Sequence, residues 1–371
     1  MKHIQFILLF FFIFSSCDSS DPEQTNTSDK DVVSRPTPEK RVGINDLVLL
    51  YGGNSNRGYT WSKDLLKPYV AMQEEDGSYH WLFDGFLLLE LKTGDNHDFA
   101  SYYKGSPARK KEWNYLLDYY LGSQKVVSNL DEVIAEYKGK VKKELPRKHQ
   151  LVITLPEPIP NQKNWGEVNG KKLDFSLRTD RLAACKWYID TALEMFEDGR
   201  FKNIELAGFY WLAEEADNSR DLIRDLRNYI HNKDKKMQLL WIPYFVAGGN
   251  TEWRSIGFDK AYLQPNYFFD DKIGINRLNK ACNTALKYGM GMELEFDNRV
   301  LTTTPEKWGY RLRDYIDIFE KYEIWKKREV AYYQGEIAWY YLSHSTVQEE
   351  RELYLRLARL IAKRQKDGIE K

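Results

Sequence analysis

Short apolar runs alternate with longer amphipathic segments along most of this chain. We predict a β-strand at each run, because the runs are rich in branched aliphatic and aromatic residues and lie between turn-forming residues. Between the runs, apolar residues recur every three or four positions, which is typical of helices that cover a sheet. The predicted strands cover residues 46–53, 83–91, 150–156, 203–211, 237–246, 260–266, 289–296 and 329–334.

Regular alternation of strand and helix predicts a parallel α/β sheet with crossover helices. Eight such units close a barrel, so we predict one (β/α)8 TIM-barrel domain over residues 42–371. Its extra length falls in a helical insertion at 106–141 and a loop rich in Pro and Asn at 157–173. A doubly wound open sheet is the alternative, but no GxGxxG motif follows the first strand, which weakens its nucleotide-binding form.

The N-terminal segment has the pattern of an export signal. An apolar run at 4–14 follows a charged start, and it is too short to remain in a bilayer as a spanning helix. Small residues and then Cys17 follow, as in the lipobox of bacterial lipoproteins. We therefore predict a lipoprotein signal peptide at 1–17 with Cys17 lipidated. An ordinary secretory signal is the alternative, because Phe14 stands where the lipobox usually has Leu.

Residues 18–41 are rich in Asp, Ser, Thr, Pro and Lys and have almost nothing apolar to bury, which predicts a disordered tether. Acidic residues directly after Cys17 resemble the surface-export signal of Bacteroidetes lipoproteins. This resemblance implies a protein anchored by lipid in the outer membrane and exposed at the cell surface, whereas in other Gram-negative bacteria an Asp at this position implies retention at the inner membrane. The lipid would be its only contact with the membrane.

Charge and cysteine content exclude some classes of partner. Lys plus Arg and Asp plus Glu are equal at 55 each, so no net positive field exists to hold a nucleic acid. Beyond Cys17 the chain has only Cys185 and Cys282, with no CxxC and no His pair at metal-ligand spacing. We predict no metal and no cofactor, and the oligomeric state stays open.

The seventh predicted strand carries the clearest chemical signal. In Met292-Glu293-Leu294-Glu295-Phe296 acids alternate with apolar residues. Alternation places Glu293 and Glu295 on the face that lines the barrel, with Glu295 nearer the mouth, where barrel active sites lie. Buried carboxylates are costly unless paired, so a structural network with a buried base is the alternative. Few basic residues occur in the other strands, which favours a functional role.

The fourth predicted strand supplies a second carboxyl. Glu214 and Glu215 follow GFYW directly, and we expect Glu214 to face the mouth while Glu215 is a solvated loop charge, although alternation fades beyond a strand end. Two carboxyls across a barrel mouth suit glycoside hydrolysis, in which one donates a proton and the other attacks the anomeric carbon or activates water. A separation of ~5.5 Å gives retention and ~6.5–9.5 Å gives inversion, and both outcomes stay open.

Other strand ends offer residues suited to sugars. Aromatic residues make up 15% of the chain, which suits both helix packing and stacking on sugar rings. Uncharged amides both donate to and accept from hydroxyls, and loop capping is the alternative role for them. The predicted substrate-binding residues are Tyr51, Asn54, Glu90, Tyr210, Trp211, Tyr244, Gln264, Asn266, Arg299 and Tyr333. Arg57 and Arg299 are the basic residues placed to read an acidic sugar.

These motifs resemble known groups of barrel proteins. An acid/base on strand four and a nucleophile on strand seven is the arrangement of the large retaining clan of TIM-barrel glycosidases, although Ala213-Glu214 stands where that clan has Asn-Glu. GFYWLAEE (208–215), MELEFDNR (292–299) and LVLLYGG near the start resemble an uncharacterised family of bacterial barrel proteins. Its members are often lipoproteins of gut Bacteroidetes and also occur in Firmicutes. The resemblance covers about 46–363 and implies the fold, and a glycosidase-like activity by analogy.

Three functions follow from these observations. The first is a surface-anchored glycoside hydrolase with a carbohydrate substrate. The second is a non-catalytic surface protein that binds glycans with the same aromatic residues. The third is another polysaccharide chemistry, such as elimination or deacetylation, and the lack of metal-spaced histidines argues against a metal-dependent deacetylase.

Overall fold

Eight parallel strands close into a barrel in the computed structural model, which describes residues 43–369. Each strand pairs with its neighbours in the chain, and the first pairs with the last. The strands are β1 Asp46–Tyr51, β2 Gly85–Leu89, β3 His149–Leu155, β4 Ile204–Trp211, β5 Gln238–Trp241, β6 Lys260–Leu263, β7 Gly291–Glu295 and β8 Val330–Tyr333. The predicted (β/α)8 fold is confirmed. The predicted signal peptide, Cys17 and tether lie outside the described residues.

Helices surround the barrel, and the predicted helical insertion forms two of them, α2 and α3. The helices are α1 Lys63–Val70, α2 Lys110–Leu121, α3 Val126–Tyr137, α4 Arg178–Gly199, α5 Arg220–Lys233, α6 Trp253–Ile256, α7 Asn276–Tyr288, α8 Gly309–Lys321, α9 Ile324–Lys327, α10 Ala338–His344 and α11 Gln348–Asp367. Within residues 43–369, no helix combines the length and the apolar character needed to cross a membrane.

The loops contain short elements of their own. Two antiparallel pairs join Ala71–Gln73 to Tyr79–Trp81 and Glu167–Val168 to Lys171–Lys172, and one parallel pair joins His97–Asp98 to Ser106–Pro107. Single 3-10 turns cover Asn250–Glu252 and Asn298–Val300. These elements shape the loops between barrel strands and leave the barrel itself regular.

Two strands end at least three residues before their predicted ends. β5 ends at Trp241 and β6 at Leu263, and each is followed after one residue by a proline, Pro243 or Pro265. Proline has no N–H to continue the ladder of hydrogen bonds. Beyond these strands only one isolated parallel bridge, between Tyr244 and Gln264, continues the pairing within the described residues.

The end of the barrel away from the mouth is held by the C-terminal helix. Asp46, at the start of β1, is fully buried and accepts hydrogen bonds from Arg364 Nε at 2.8 Å and Gln365 Nε2 at 2.7 Å, both in α11. The Tyr332 hydroxyl donates to the same carboxylate at 2.6 Å. This network closes the barrel because it joins β1, β8 and α11.

A bulge in β4 decides which of its side chains face the barrel interior. The register against β3 shifts between Leu206 and Gly208, and Gly208 has φ 146°. A Cβ there would lie 2.0 Å from the carbonyl oxygen of Gln238 in β5, so only glycine allows the two strands to approach. Beyond the bulge, Tyr210 is placed toward the glutamates of β7 and Trp211 on the opposite face.

Gly208→Ala is expected to lower the free energy of unfolding by about 3 kcal/mol or more, because the added methyl meets backbone atoms. Urea denaturation followed by tryptophan fluorescence measures the change. Gly139→Ala is the matched control, since Gly139 also has positive φ (83°) but a Cβ there meets nothing within 4 Å. Equal losses in the two variants would show that the backbone angle alone matters.

Candidate functional site

β7 places two glutamates in the barrel. Glu293 and Glu295 are both fully buried, and Glu295 is level with Tyr333 of β8. The ring of Tyr333 packs edge-on against Tyr51 of β1, with 5.7 Å between ring centroids. Tyr51 in turn has Glu293 among its electrostatic neighbours, so these side chains share one space at the barrel mouth.

Hydrogen-bond donors distinguish these two carboxyls. Glu295 Oε2 accepts from the hydroxyl of Tyr315 in α8 and from the backbone N–H of Tyr267, which follows β6, at 3.3 Å. Neither carboxyl oxygen of Glu293 has a hydrogen-bond partner among the described residues. The amide of Gln264 nevertheless lies near enough to lower the pKa of Glu293. The negative form is therefore stabilised at Glu295 and left unsupported at Glu293.

The two glutamates after β4 have different surroundings. Glu214 Oε1 lies 3.5 Å from Gln264 Nε2 and remains partly exposed at the mouth. Glu215 accepts a hydrogen bond from the Tyr244 hydroxyl and another from Gly248 N–H at 3.0 Å. Glu215 thus fastens the loop after β5, while the Glu214 carboxyl joins the pair from β7.

Burial raises the pKa values of these three acids. Burial raises the pKa of Glu214 to about 7, with the Gln264 hydrogen bond opposing the rise and the charge of Glu215 adding to it. Burial raises the pKa of Glu293 well above its usual range, and the charges of Glu295 and Glu214 raise it further. Burial also raises the pKa of Glu295, to about 8, although hydrogen bonds from the Tyr315 hydroxyl and from the backbone N–H groups of Tyr267 and Asn266 oppose that rise. Of this coupled pair, Glu295 is therefore the acid whose hydrogen bonds favour the negative form, and Glu293 is the one that favours the proton.

No base balances this cluster in the described part of the chain, where none of the three acids has Lys or Arg among its main electrostatic neighbours. A buried base paired with these glutamates, the alternative raised by the sequence, is therefore absent within residues 43–369. No group of three His, Cys, Asp or Glu side chains in that range is arranged to hold a metal ion. Buried acids with raised pKa values and no paired base are typical of functional sites.

Tyrosine hydroxyls surround the acids. Burial raises the pKa of each of these tyrosines, so each stays neutral and able to donate a hydrogen bond. The glutamates are among the electrostatic neighbours of all four, which are Tyr51, Tyr103, Tyr210 and Tyr333. The mouth thus presents neutral donors and aromatic rings around carboxyls.

Three predicted binding residues are engaged elsewhere. Trp211 is fully buried, because the alternation after the bulge turns it away from Tyr210, so it has no surface for a sugar. Glu90 is held by Arg57 through two hydrogen bonds of 2.6 and 2.8 Å. Asn54 Oδ1 accepts from the N–H of Asn56 at 2.9 Å and so closes a turn. These three residues therefore support the mouth without lining it.

Each of the two arginines near the mouth forms an ion pair with an acidic side chain. Arg57 also reaches Glu336, with 3.4 Å between Nη1 and Oε1. Arg299 binds both carboxylate oxygens of Asp297, and its guanidinium lies 4.4 Å from the ring centre of Trp308. Neither charge is available to an acidic sugar without breaking an existing pair.

Three donors at the site were not predicted from the sequence. Tyr315 belongs to the apolar stripe of a helix, and its ring packs as such a residue would, but its hydroxyl reaches Glu295. Tyr103 lies in the loop after β2, where no strand alternation indicates a direction. The third donor is the N–H of Tyr267, and backbone groups leave no mark in a sequence. For Tyr103 the sequence offers one signal, which is an aromatic pair at 102–103 within a polar loop.

Residues 46–359 match a sequence family described as a domain of unknown function, DUF4855. The chain belongs to this family. The match runs from the first residue of β1 into α11 and so covers the whole barrel. It also agrees closely with the extent of the resemblance inferred from the motifs. A comparison with curated proteins gives no match.

Several solved structures are similar to this chain. An intracellular xylanase from Thermoanaerobacterium saccharolyticum has 10% identity and a TM-score of 0.40, over 76% of this chain and 90% of its own. A family 18 chitinase from Crocus vernus has 11% and 0.42, over 84% and 99%. A GH5-4 broad specificity endoglucanase from an uncultured bacterium has 10% and 0.42, over 85% and 93%. Similarity at this level transfers neither activity nor substrate to this chain.

Proposed function

We propose that this protein is a glycoside hydrolase in which Glu214 is the acid/base and Glu295 is the nucleophile or general base. The observation that carries the proposal is the unequal hydrogen bonding of these two acids. Glu295 receives two hydrogen-bond donors that favour its negative form, whereas Glu214 has a single long contact with Gln264 and burial raises its pKa to about 7. Glycoside hydrolysis needs one carboxyl in each state.

Each residue then has a definite task. Glu214 gives its proton to the leaving oxygen as the glycosidic bond breaks, so that the departing sugar leaves as an alcohol. Glu295 attacks the anomeric carbon or removes a proton from the attacking water. The tyrosine hydroxyls donate to sugar hydroxyls, and the partly exposed rings of Tyr244 and Tyr333 contact sugar rings. Glu293, which lies further from the mouth than Glu295, stays protonated beside Glu214 and Glu295.

We further propose that the substrate is a neutral glycan. Three acids line the mouth, and the two nearby arginines, Arg57 and Arg299, are already paired with carboxylates. An anionic sugar would therefore meet repulsion from Glu295 without a free cation to offset it. A neutral sugar can instead use the tyrosine hydroxyls and rings.

The test is a screen of purified residues 42–371 against neutral and uronate-rich polysaccharides, with release of reducing ends as the measurement. We expect cleavage among the neutral glycans and none in the Glu214→Gln/Glu295→Gln double variant. Equal cleavage by the double variant would overturn the assigned residues. Tight binding of an oligosaccharide without any product over days would support the non-catalytic glycan-binding protein instead.

The pH dependence tests the role of Glu214. We expect kcat/KM to fall above about pH 7, because the active form is the protonated one and burial raises the pKa of Glu214 to about 7. With an aryl glycoside whose leaving group needs no proton, Glu214→Gln should still cleave the bond, and its alkaline decline should vanish. A wild-type profile that stays flat to about pH 9 would contradict a proton donor with this pKa.

We also propose that Cys17 carries a lipid that anchors the protein at the cell surface. The support is the apolar run that stops at Ser15-Ser16-Cys17 and the acidic residues after it. Cys17→Ser should abolish incorporation of labelled fatty acid in a bacterial host that exports the full chain. Protease treatment of intact cells should remove the wild-type protein, and survival of the protein would argue against surface exposure.

A further inference from the structure

The short segment after β6 contacts both carboxyls of the site. Gln264 lies beside Glu214, and the N–H of Tyr267 donates to Glu295. Between them Asn266 has φ 52°, a left-handed conformation that asparagine tolerates better than most residues. This turn lets the Gln264 side chain and the Tyr267 N–H, three residues apart, reach an acid that follows β4 and an acid on β7.

Hydrogen bonds fix which way the two amides of this segment point. The N–H of Phe245 donates to Asn266 Oδ1 at 3.2 Å, and because a backbone N–H can only donate, the oxygen of Asn266 must face it. Asn266 Nδ2 then points to Gln264 Oε1 at 3.4 Å. Gln264 is left with its Nε2 toward Glu214 Oε1 at 3.5 Å. The N–H of Phe245 thereby determines the orientation of both side-chain amides, those of Asn266 and Gln264.

We propose that Asn266 is a positioning residue, which orients the Gln264 amide so that it donates to Glu214 and holds that carboxyl for its acid/base role. This inference rests on the proposed function for the role of Glu214, but the hydrogen-bond relay can be measured without a substrate. It changes the predicted task of Gln264 and Asn266 from binding sugar hydroxyls to orienting an acid.

A buried arginine makes the segment rigid enough for this task. Arg311 of α8 is 2% exposed, and its Nη2 donates to the carbonyls of Tyr267, Asp270 at 2.8 Å and Ile273 at 3.1 Å. Its guanidinium also lies 3.8 Å from the ring centre of Tyr267. The turn is therefore fixed to α8, which also supplies the Tyr315 hydroxyl to Glu295.

The other groups that face Glu214 do not replace this donor. Acids from two elements repel its charge, and tyrosines from three elements surround it. These groups are Glu215, Glu293, Glu295, Tyr51, Tyr103 and Tyr210. Gln264 is the donor that opposes the effect of burial on the pKa of Glu214. Turning its amide around would replace that donor with an acceptor.

Asn266→Asp tests the relay. The aspartate side chain keeps an oxygen for the Phe245 N–H and tolerates the left-handed turn, but its second oxygen faces Gln264, whose amide must rotate and present Oε1 to Glu214. We expect the titration midpoint of Glu214 to rise by about one pH unit or more. Carbon-13 NMR of glutamate carboxyls measures the midpoint, and the Glu214 resonance is the one missing in Glu214→Gln.

A second pair of variants separates the relay from the negative charge that Asn266→Asp adds. Gln264→Met removes the amide and adds no charge, so it should also raise the midpoint of Glu214. Asn266→Asp made in the Gln264→Met background should then raise it further by much less than in the wild type. An unchanged midpoint in Gln264→Met, or an equal rise from Asn266→Asp in both backgrounds, would overturn the proposal.

Two further readouts keep structural damage and failed function apart. Asn266→Gly retains the backbone turn, so the Glu295 resonance should keep its midpoint while that of Glu214 moves; movement of both would overturn a role specific to Glu214. On a cleaved glycan, Asn266→Asp should lower kcat by about tenfold to a hundredfold with little change in KM. Shifted midpoints in a protein that cleaves no glycan would support the relay and refute the proposed hydrolase.

Discussion

Glu295→Gln is expected to lower kcat by about a thousandfold or more on any glycan that the protein cleaves. Gln has the shape of Glu but cannot attack carbon or accept a proton from water. Tyr315 and Tyr267 donate to Glu295, and these donors stabilise a negative charge that the variant lacks. Steady-state kinetics of reducing-end release, with substrate at saturation, measures the loss.

Glu293→Gln is the matched control for that loss. Glu293 lies two residues away on β7 and is equally buried, but it has no hydrogen-bond donor among the described residues and holds its proton. A neutral amide therefore replaces a neutral acid, and we expect kcat to change by less than about tenfold. Equal losses in the two variants would contradict the assignment of the charge to Glu295.

Arg364→Met is expected to lower the free energy of unfolding by about 3–5 kcal/mol, because it leaves Asp46 buried without its cation. Arg364 is 4% exposed and donates to Asp46 and also to the backbone carbonyls of Asn45 at 2.7 Å and Arg328 at 3.1 Å. The residue thus joins α11 to β1 and to the segment before β8. Urea denaturation followed by circular dichroism gives the change.

Arg359→Met controls for the loss of an arginine from the same helix. Arg359 pairs with Glu74 at 2.8 Å but is about half exposed, so water and salt screen that pair. We expect a cost below about 1 kcal/mol. If the two variants were equally destabilised, the buried network at Asp46 would not be what holds α11 to the barrel.

The parts of the site that the sequence predicts are those governed by strand alternation. Met292 to Phe296 lie within one regular strand, and period-two alternation suffices to place Glu293 and Glu295 on the same face. β4 is less regular, because the bulge at Gly208 resets its alternation. Neighbouring residues on a strand point to opposite faces, so the prediction of both Tyr210 and Trp211 as binding residues could hold for only one of them, and the structure places Tyr210 toward the glutamates. Glycine in a strand was the available sign of a bulge.

The remaining features depend on contacts between residues far apart in the chain. Nothing near Glu90 indicates that Arg57 will neutralise it, and nothing in the stripe of α8 indicates that the hydroxyl of Tyr315 will reach β7. The choice between Glu214 and Glu215 likewise depends on Gln264 and on the loop after β5. Such pairings require the closed barrel, in which distant strand ends meet.

The most direct measurement of the central claim is the fate of solvent oxygen during cleavage. The protein would be incubated with a neutral glycan in water enriched in oxygen-18, and products would be analysed by mass spectrometry before spontaneous exchange. Hydrolysis by Glu214 and Glu295 predicts one labelled oxygen at each new reducing end, and no product from the Glu214→Gln/Glu295→Gln variant. Unlabelled, unsaturated products would instead show elimination and would contradict the proposed mechanism.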